Sequence, residues 1–325
     1  MQPTRLVSWS LLLATLGCGA GPSLSTRVDV EIPWADLWPG LARPEAVVAV
    51  DDAAFPVRRP DALALEALRK SEAAWRARDA EGFDAARRAI GDDPVAAFWL
   101  ARMLIRDTLF LRRQVGEDAA ALVGEPAWRR PFDALTAMGD AAVPCVVLDL
   151  LRQRSADLRD LGAELLHEMG PSVLPSWERV AQVPDPAVRR YVVQALRGFS
   201  DPRSDALLDR ARTDADFGVR AEAYRSLAAQ DEDMGPLLRA AIEAEEDRFV
   251  RRAIVEGLGD QGGAENAAAI LAFLELAIAD RDRDGVEAAN LALMAMTGRP
   301  EYDSVPGWRQ YLRTSDLPRR NEGGR

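Results

Sequence analysis

One helical pattern recurs six times between Ala127 and Met294. Its anchors are Ala127, Leu158, Val188, Val219, Val250 and Val286, at steps of 31, 30, 31, 31 and 36 residues. Aligned on those anchors, the segments read AWRRPFDAL, LRDLGAELL, VRRYVVQAL, VRAEAYRSL, VRRAIVEGL and VEAANLALM, and an apolar residue stands eight places after every anchor. On a helix, positions 0, +4, +7 and +8 share a face, as in Val188, Val192, Ala195 and Leu196. A single pair of helices has nowhere to bury such a stripe, so neighbouring units must complete the core. A fixed period of this length predicts an α-solenoid. Each fully buried Leu or Val would contribute roughly 1.5–3 kcal/mol.

Each unit is expected to hold a first helix, such as 143–152, 172–181, 203–212 or 236–245, and a second helix beginning near the anchor. Asp185, Asp216 and Asp247 stand three residues before their anchors, where a carboxylate caps a helix N-terminus for about 1 kcal/mol. Gly139, Gly170, Gly198 and Gly259 fall where second helices should stop, and Gly298 closes the last one. Trp308, Tyr311 and Leu312 form an i, i+3, i+4 patch suited to covering the final repeat. Upstream, helices are expected over 61–79, with Asp61 as N-cap and Leu63, Leu65, Leu68 and Trp75 as its apolar periodicity, then over 82–90 and 93–113. Pro94 sits at the first position of the last of these. Met103 follows Val95 by eight residues, as in a degenerate seventh unit. The stretch 75–104, with Gly82, Ala86 and Pro94, also loosely resembles a tetratricopeptide unit.

Over about 170 residues these units resemble HEAT repeats, in the short form of the bilin-lyase-like proteins. That resemblance implies an all-α, right-handed superhelix of antiparallel helix pairs, HEAT-like or armadillo-type, used as a protein-binding scaffold. Arg159, Arg189, Arg220 and Arg251 each follow an anchor, with Glu287 breaking the series. In the resembling family such an arginine, with the preceding aspartate, links neighbouring repeats. Arg190, Gln194, Arg197, Arg225, Arg252 and Glu256 point away from the packed stripe, on the helices that line the concave side of the resembling fold. They are the candidate partner-binding residues.

The first residues read as an export signal: Arg5 is a positive start, an apolar stretch runs from Leu6 to Leu16, and small residues follow. A stretch of eleven residues is too short to span a bilayer. Ala14-Thr15-Leu16-Gly17-Cys18 resembles the bacterial lipobox, which implies lipidation of Cys18 and a membrane anchor, and Gly19 rather than Asp favours the outer membrane, periplasmic side. Cleavage after Ala20, giving a soluble periplasmic or secreted product, is the alternative. Without Cys18, Cys145 has no intramolecular partner in an oxidising compartment and is expected to be a buried thiol. The formal charge of -11 argues against a nucleic-acid partner. Lys70 is the single lysine among 41 basic residues, so the arginines reflect composition before function.

The expected organisation is a signal peptide at 1–17, a lipidated Cys18 and extended tether over 18–60, a helical region at 61–115, repeats over 116–298, a capping helix at 299–315 and a disordered tail at 316–325. Trp34 and Trp38 would dock on the first helices. Asp280-Arg281-Asp282-Arg283-Asp284-Gly285 resembles half of a calcium loop, but position 12 is Leu291 and position 8 is Glu287, so an inter-repeat turn is expected. His167 is the only histidine and has no nucleophile pattern beside it. No CxxC, HExxH or glycine-rich phosphate loop occurs. The expectation is a non-catalytic scaffold without metal or cofactor, holding an envelope protein or peptide. A bilin-lyase-like or other HEAT-repeat enzyme, or a HEAT-like DNA glycosylase, is the rival.

Overall fold

A computed structural model of the chain describes residues 61–91, 93–118, 127–199, 201–230, 233–299 and 304–314, side chains of 114–118 excepted. The signal sequence, Cys18, the tether with Trp34 and Trp38, and the polar tail lie outside the described residues. Among those described there is no β-strand. The α-helices are α1 (Ala62–Arg76), α2 (Ala80–Ile90), α3 (Pro94–Asp118), α4 (Arg129–Thr136), α5 (Val143–Val146), α6 (Ala156–Met169), α7 (Leu174–Val180), α8 (Pro186–Ala195), α9 (Pro202–Ala211), α10 (Phe217–Ala228), α11 (Gly235–Ala244), α12 (Arg248–Gln261), α13 (Ala264–Ala279), α14 (Arg283–Thr297) and α15 (Val305–Thr314). α5 is the middle of a composite helix: a 3₁₀ turn at Gly139–Ala142 precedes it and a π turn at Val147–Leu151 follows.

The second helices of the six units, α4, α6, α8, α10, α12 and α14, each pack against the next. The other helices form the facing layer, in which α3 meets α5, α7 meets α9, α11 meets α13, and α13 meets α15. This is the arrangement expected of an α-solenoid, because every helix finds its apolar partners in its own unit and the adjacent ones. Val188, Val219 and Val250 are buried, as are Leu135, Leu166, Leu196, Leu227 and Leu258 eight places after five of the anchors. Asp185, Asp216 and Asp247 accept hydrogen bonds from the amides of Ala187, of Gly218 and Val219, and of Phe249 and Val250.

Three expectations are corrected. Ala127 lies exposed in a turn, because α4 begins only at Arg129, and the first unit is buried through Phe132 and Leu135 instead. In α1 the buried face is Ala64, Ala67 and Ser71. Asp61 caps this helix as expected, but Leu63 is 80% exposed and Leu65 is exposed too. Small side chains let α1 lie close against α2, a packing that leucine counting cannot see. Gly259 does not end a helix. It lies inside α12, where a Cβ would stand 2.8 Å from Ala292 Cβ and 3.0 Å from Ala292 Cα, so its bareness admits α14. Gly262, at φ 68°, caps α12, whereas Gly139, Gly170 and Gly198 do take positive φ.

At the C-terminal end Trp308 is fully buried and donates its indole N–H to Asn290 Oδ1 at 2.8 Å, while Tyr311 donates to Thr297 O at 3.3 Å. At the other end Trp75 donates to Asp107 Oδ2 at 2.8 Å, joining α1 to α3. Arg112 grips both oxygens of Glu164 at 2.8–2.9 Å and joins α3 to α6. No single helix among the described residues is long and apolar enough to cross a membrane.

Candidate interaction surface

α8 and α10 are tied to neighbouring helices at both ends and along the middle. At the N-terminal end the arginine after the anchor reaches into the following unit. Arg189 donates through Nε and Nη2 to Asp214 at 2.9 and 2.8 Å, and through Nη1 to the carbonyls of Val183 and Pro184, both at 2.8 Å. Arg220 repeats this with Glu245, at 3.1 Å on both oxygens, and with the carbonyls of Asp214 and Ala215. The preceding aspartate caps the helix, as expected. The acceptor is the residue 25 places after the arginine. That spacing also shows where the series fails: 25 places after Arg159 stands Pro184, and after Arg251 stands Leu276. Arg159 Nε is accordingly buried without a hydrogen-bond partner, and Arg251 donates to its own unit's Glu245 carbonyl.

Burial alone would raise the Asp214 and Glu245 carboxyls, but the arginines and the amides of Asp216, Glu246 and Asp247 outweigh it and hold both below the ordinary carboxylate range. At the C-terminal end neutral side chains take over. His167 Nδ1 lies 3.0 Å from Ala195 O, with the ring stacked on Phe199 at 4.8 Å. Ser226 donates to Val193 O at 3.0 Å and Gln261 to Ala228 O at 2.8 Å. These carbonyls lie in last helical turns, where i+4 amide donors run out, although Val193 O also accepts from the Leu196 amide at 3.1 Å. Isolated Ser and Gln give no sequence signal for that role.

Between the two ends lie the six candidate contact residues, and all of them are engaged within the protein. Arg190 of α8 and Arg197, two residues beyond its end, converge on Glu222 of α10, at 3.8 and 2.8 Å. Arg225 approaches the same carboxylate at 3.9 Å and pairs with Glu256 of α12 at 2.9 Å. Arg252 pairs with Asp282 and Asp284 of the α14 end at 2.5 and 2.7 Å. Gln194 lies 3.4 Å from Asp160 Oδ1. The hub, Glu222, is 3% exposed, a burial that three guanidinium groups make tolerable. It was missed in the sequence because it occupies the anchor+3 position, filled by different residue types in other units.

The remaining candidates resolve simply. Asp282 caps α14 through the Gly285 amide and receives Arg252, so the calcium-like run is a helix start. Burial opposes its charge, yet those bonds keep its carboxyl low. Among the described residues no cluster of three His, Cys, Asp or Glu could hold a metal. Cys145 is a buried free thiol, as expected, and burial pushes it well up, with Asp149 beside it at 3.6 Å. A cavity of about 110 Å³ between α7, α8, α9 and α10 is lined by Val192, Leu196, Leu207 and the Arg189–Asp214 pair. It is smaller than the roughly 300–1,000 Å³ of ordinary ligand pockets.

The family model for HEAT repeats matches residues 144–228 and 204–294. Residues 144–294, just under half of the chain, are therefore similar to HEAT repeats. No curated protein matches the chain. The matched segment runs from α5 to α14, and the packing of α4 on α6 extends the same stack by one helix toward the N-terminus. HEAT repeats generally mediate protein–protein interaction.

Proposed function

We propose that the chain is a non-catalytic scaffold that binds a protein or peptide along the second helices of its HEAT repeats. The observation that carries this reading is the side-chain lattice from Asp160 to Asp284, which fixes five successive helices into one surface before any partner arrives. A surface ordered in advance spares a partner the cost of ordering it. The repeats are read as antiparallel pairs in a right-handed superhelix, with this lattice on the inner side. The setting is the bacterial cell envelope, through an export signal and a lipid on Cys18, several acyl chains being enough for a stable anchor at about 0.8 kcal/mol per buried CH₂.

A photo-crosslinking amino acid placed at Gln194 or Glu256 is expected to capture a partner in intact cells, while the same probe at Asp209 or Glu243 on α9 and α11 captures none. Equal capture from both layers, or none from either, would overturn the assignment of the face. Palmitate incorporation abolished by Cys18→Ser is the expected result for the anchor, and labelling that survives this substitution would reject it.

A further inference from the structure

Phe217 and Phe249 sit in the first turns of α10 and α12, one repeat apart. Their rings meet edge to face, with centroids 5.5 Å apart. They are 50% and 37% exposed, although an aromatic side chain in a core normally gives most of its area to packing. Asp216 and Asp247, which precede them, are each held by two helix amides, so the capping geometry fixes where both rings stand.

The arginines of the lattice flank this pair. Arg225 lies 5.5 Å from the centre of the Phe249 ring. Arg190 runs past the first turn of α10, where a Cβ on Gly218 would be 3.9 Å from its Cδ. Arg190 Nε is buried with no hydrogen-bond acceptor. Charge is distributed unevenly between inside and outside. The carboxylate of Glu222 is almost wholly covered, while the side chains of Arg190 and Arg197, which neutralise it, are 41% and 46% exposed. A molecule arriving at this point meets the guanidinium groups of Arg190 and Arg197 and two aromatic faces, on a chain whose net charge is -11, while Arg225, 25% exposed, is already neutralised by the 46% exposed Glu256. Arginine and aromatic residues are also the types that dominate binding energy at protein interfaces.

We infer that Phe217, Phe249, Arg190 and Arg197 form an anchor site for an acidic segment of another protein that carries apolar side chains. Its apolar groups pack on the phenylalanine pair and its carboxylates face the exposed guanidinium groups. This rests on the scaffold reading and specifies the partner's chemistry.

The test uses the purified full chain and a fluorescein-labelled dodecapeptide in which glutamate alternates with leucine and phenylalanine. The same peptide with lysine for glutamate is the comparison. Anisotropy titration is expected to show at least tenfold tighter binding of the acidic peptide, a preference that weakens as salt rises. The double variant Phe217→Ser, Phe249→Ser should lose at least tenfold, and Leu291→Ser, an exposed apolar position elsewhere on the stack, should lose none. Thermal melts confirm that each variant is folded. Equal binding of the two peptides, or an unchanged affinity in the double variant, overturns the site. Sedimentation showing that the chain alone dimerises through the phenylalanines also overturns it, in favour of a second copy. If partner capture at Gln194 and Glu256 persists in cells while the phenylalanine variant binds the peptide normally, the scaffold reading stands and this site falls.

Discussion

Val255 and Leu291 occupy the same place in consecutive repeats, five residues after the anchors Val250 and Val286. Val255 is fully buried, while Leu291 is 50% exposed. Val193 and Tyr224 hold this place in α8 and α10, and both are buried. The difference is positional. α12 has α14 stacked beyond it, whereas among the described residues no further second helix follows α14, and the capping helix α15 packs on α13 while reaching α14 through Trp308 and Tyr311. Burial in this molecule therefore belongs to the neighbour as much as to the residue, and a pattern with a strict period acquires different environments at its ends.

The sharpest way to break that comparison is to place a charge at both sites. Val255→Asp should cost more than about 3 kcal/mol, because an isolated carboxylate would be forced into a dry interface. Leu291→Asp should stay within about 0.5 kcal/mol. Denaturant unfolding followed by circular dichroism checks both, and comparable losses would show that the α14 face is covered. Next in size is Trp308→Ala, expected to cost about 3–5 kcal/mol at the cap. In a one-dimensional stack this loss should be felt locally. Hydrogen exchange should accelerate in α13 and α14 and remain unchanged in α8.

A smaller effect separates two glycines that look alike in the sequence. Gly259→Ala should destabilise by about 1–3 kcal/mol, since the added methyl meets the α14 backbone at Ala292, and this outweighs the ~1 kcal/mol that Ala gains in a helix interior. Gly198→Ala meets nothing within 4 Å but must adopt φ 78°, at a cost of roughly 1–2 kcal/mol. A double variant with Ala292→Gly should relieve the first substitution only in part, since Ala292 Cβ at 2.8 Å is removed but its Cα at 3.0 Å remains, and leave the second unrelieved.

The repeat period, the capping aspartates, the buried anchors and the terminal tryptophan were all legible in the sequence, because each rests on local geometry or a sustained apolar stripe. The roles of Gly259, Ser226, Gln261 and Glu222 were not, since each depends on which atom of a neighbouring repeat faces it. Of the candidate residues, Arg190, Gln194, Arg225 and Arg252 are half-buried and Arg197 and Glu256 exposed. Their mutual pairing was hidden, because a lattice of Arg190, Arg197 and Arg225 around Glu222 requires the relative register of three helices. The face of α1 was misjudged for a related reason: leucines were weighted by size, and close helix approach favoured Ala64 and Ala67.

The arginine series offers the finest comparison, between repeats that hold an acid 25 places on and those that do not. Asp214 and Glu245 titrate lower in the folded protein than their ordinary values of 3.8 and 4.5. Their contribution is thus complete above those values and is lost as pH falls through the lower folded values. Asp214→Asn with Glu245→Gln should destabilise the protein at pH 7, by about 1–3 kcal/mol for each charged hydrogen-bonded pair, and its deficit against the parent should shrink below about pH 4. Arg251 supplies the converse. Leu276→Glu places a carboxylate where its series lacks one, at a half-exposed position, so the gain should be only about 0.2–1 kcal/mol at pH 7. That gain should vanish in acid and weaken in high salt. A Leu276→Gln control, matched in size and uncharged, should show neither dependence. If glutamate and glutamine behave alike, the 25-residue spacing is a coincidence of two repeats, and the links at Arg189 and Arg220 do not generalise along the stack.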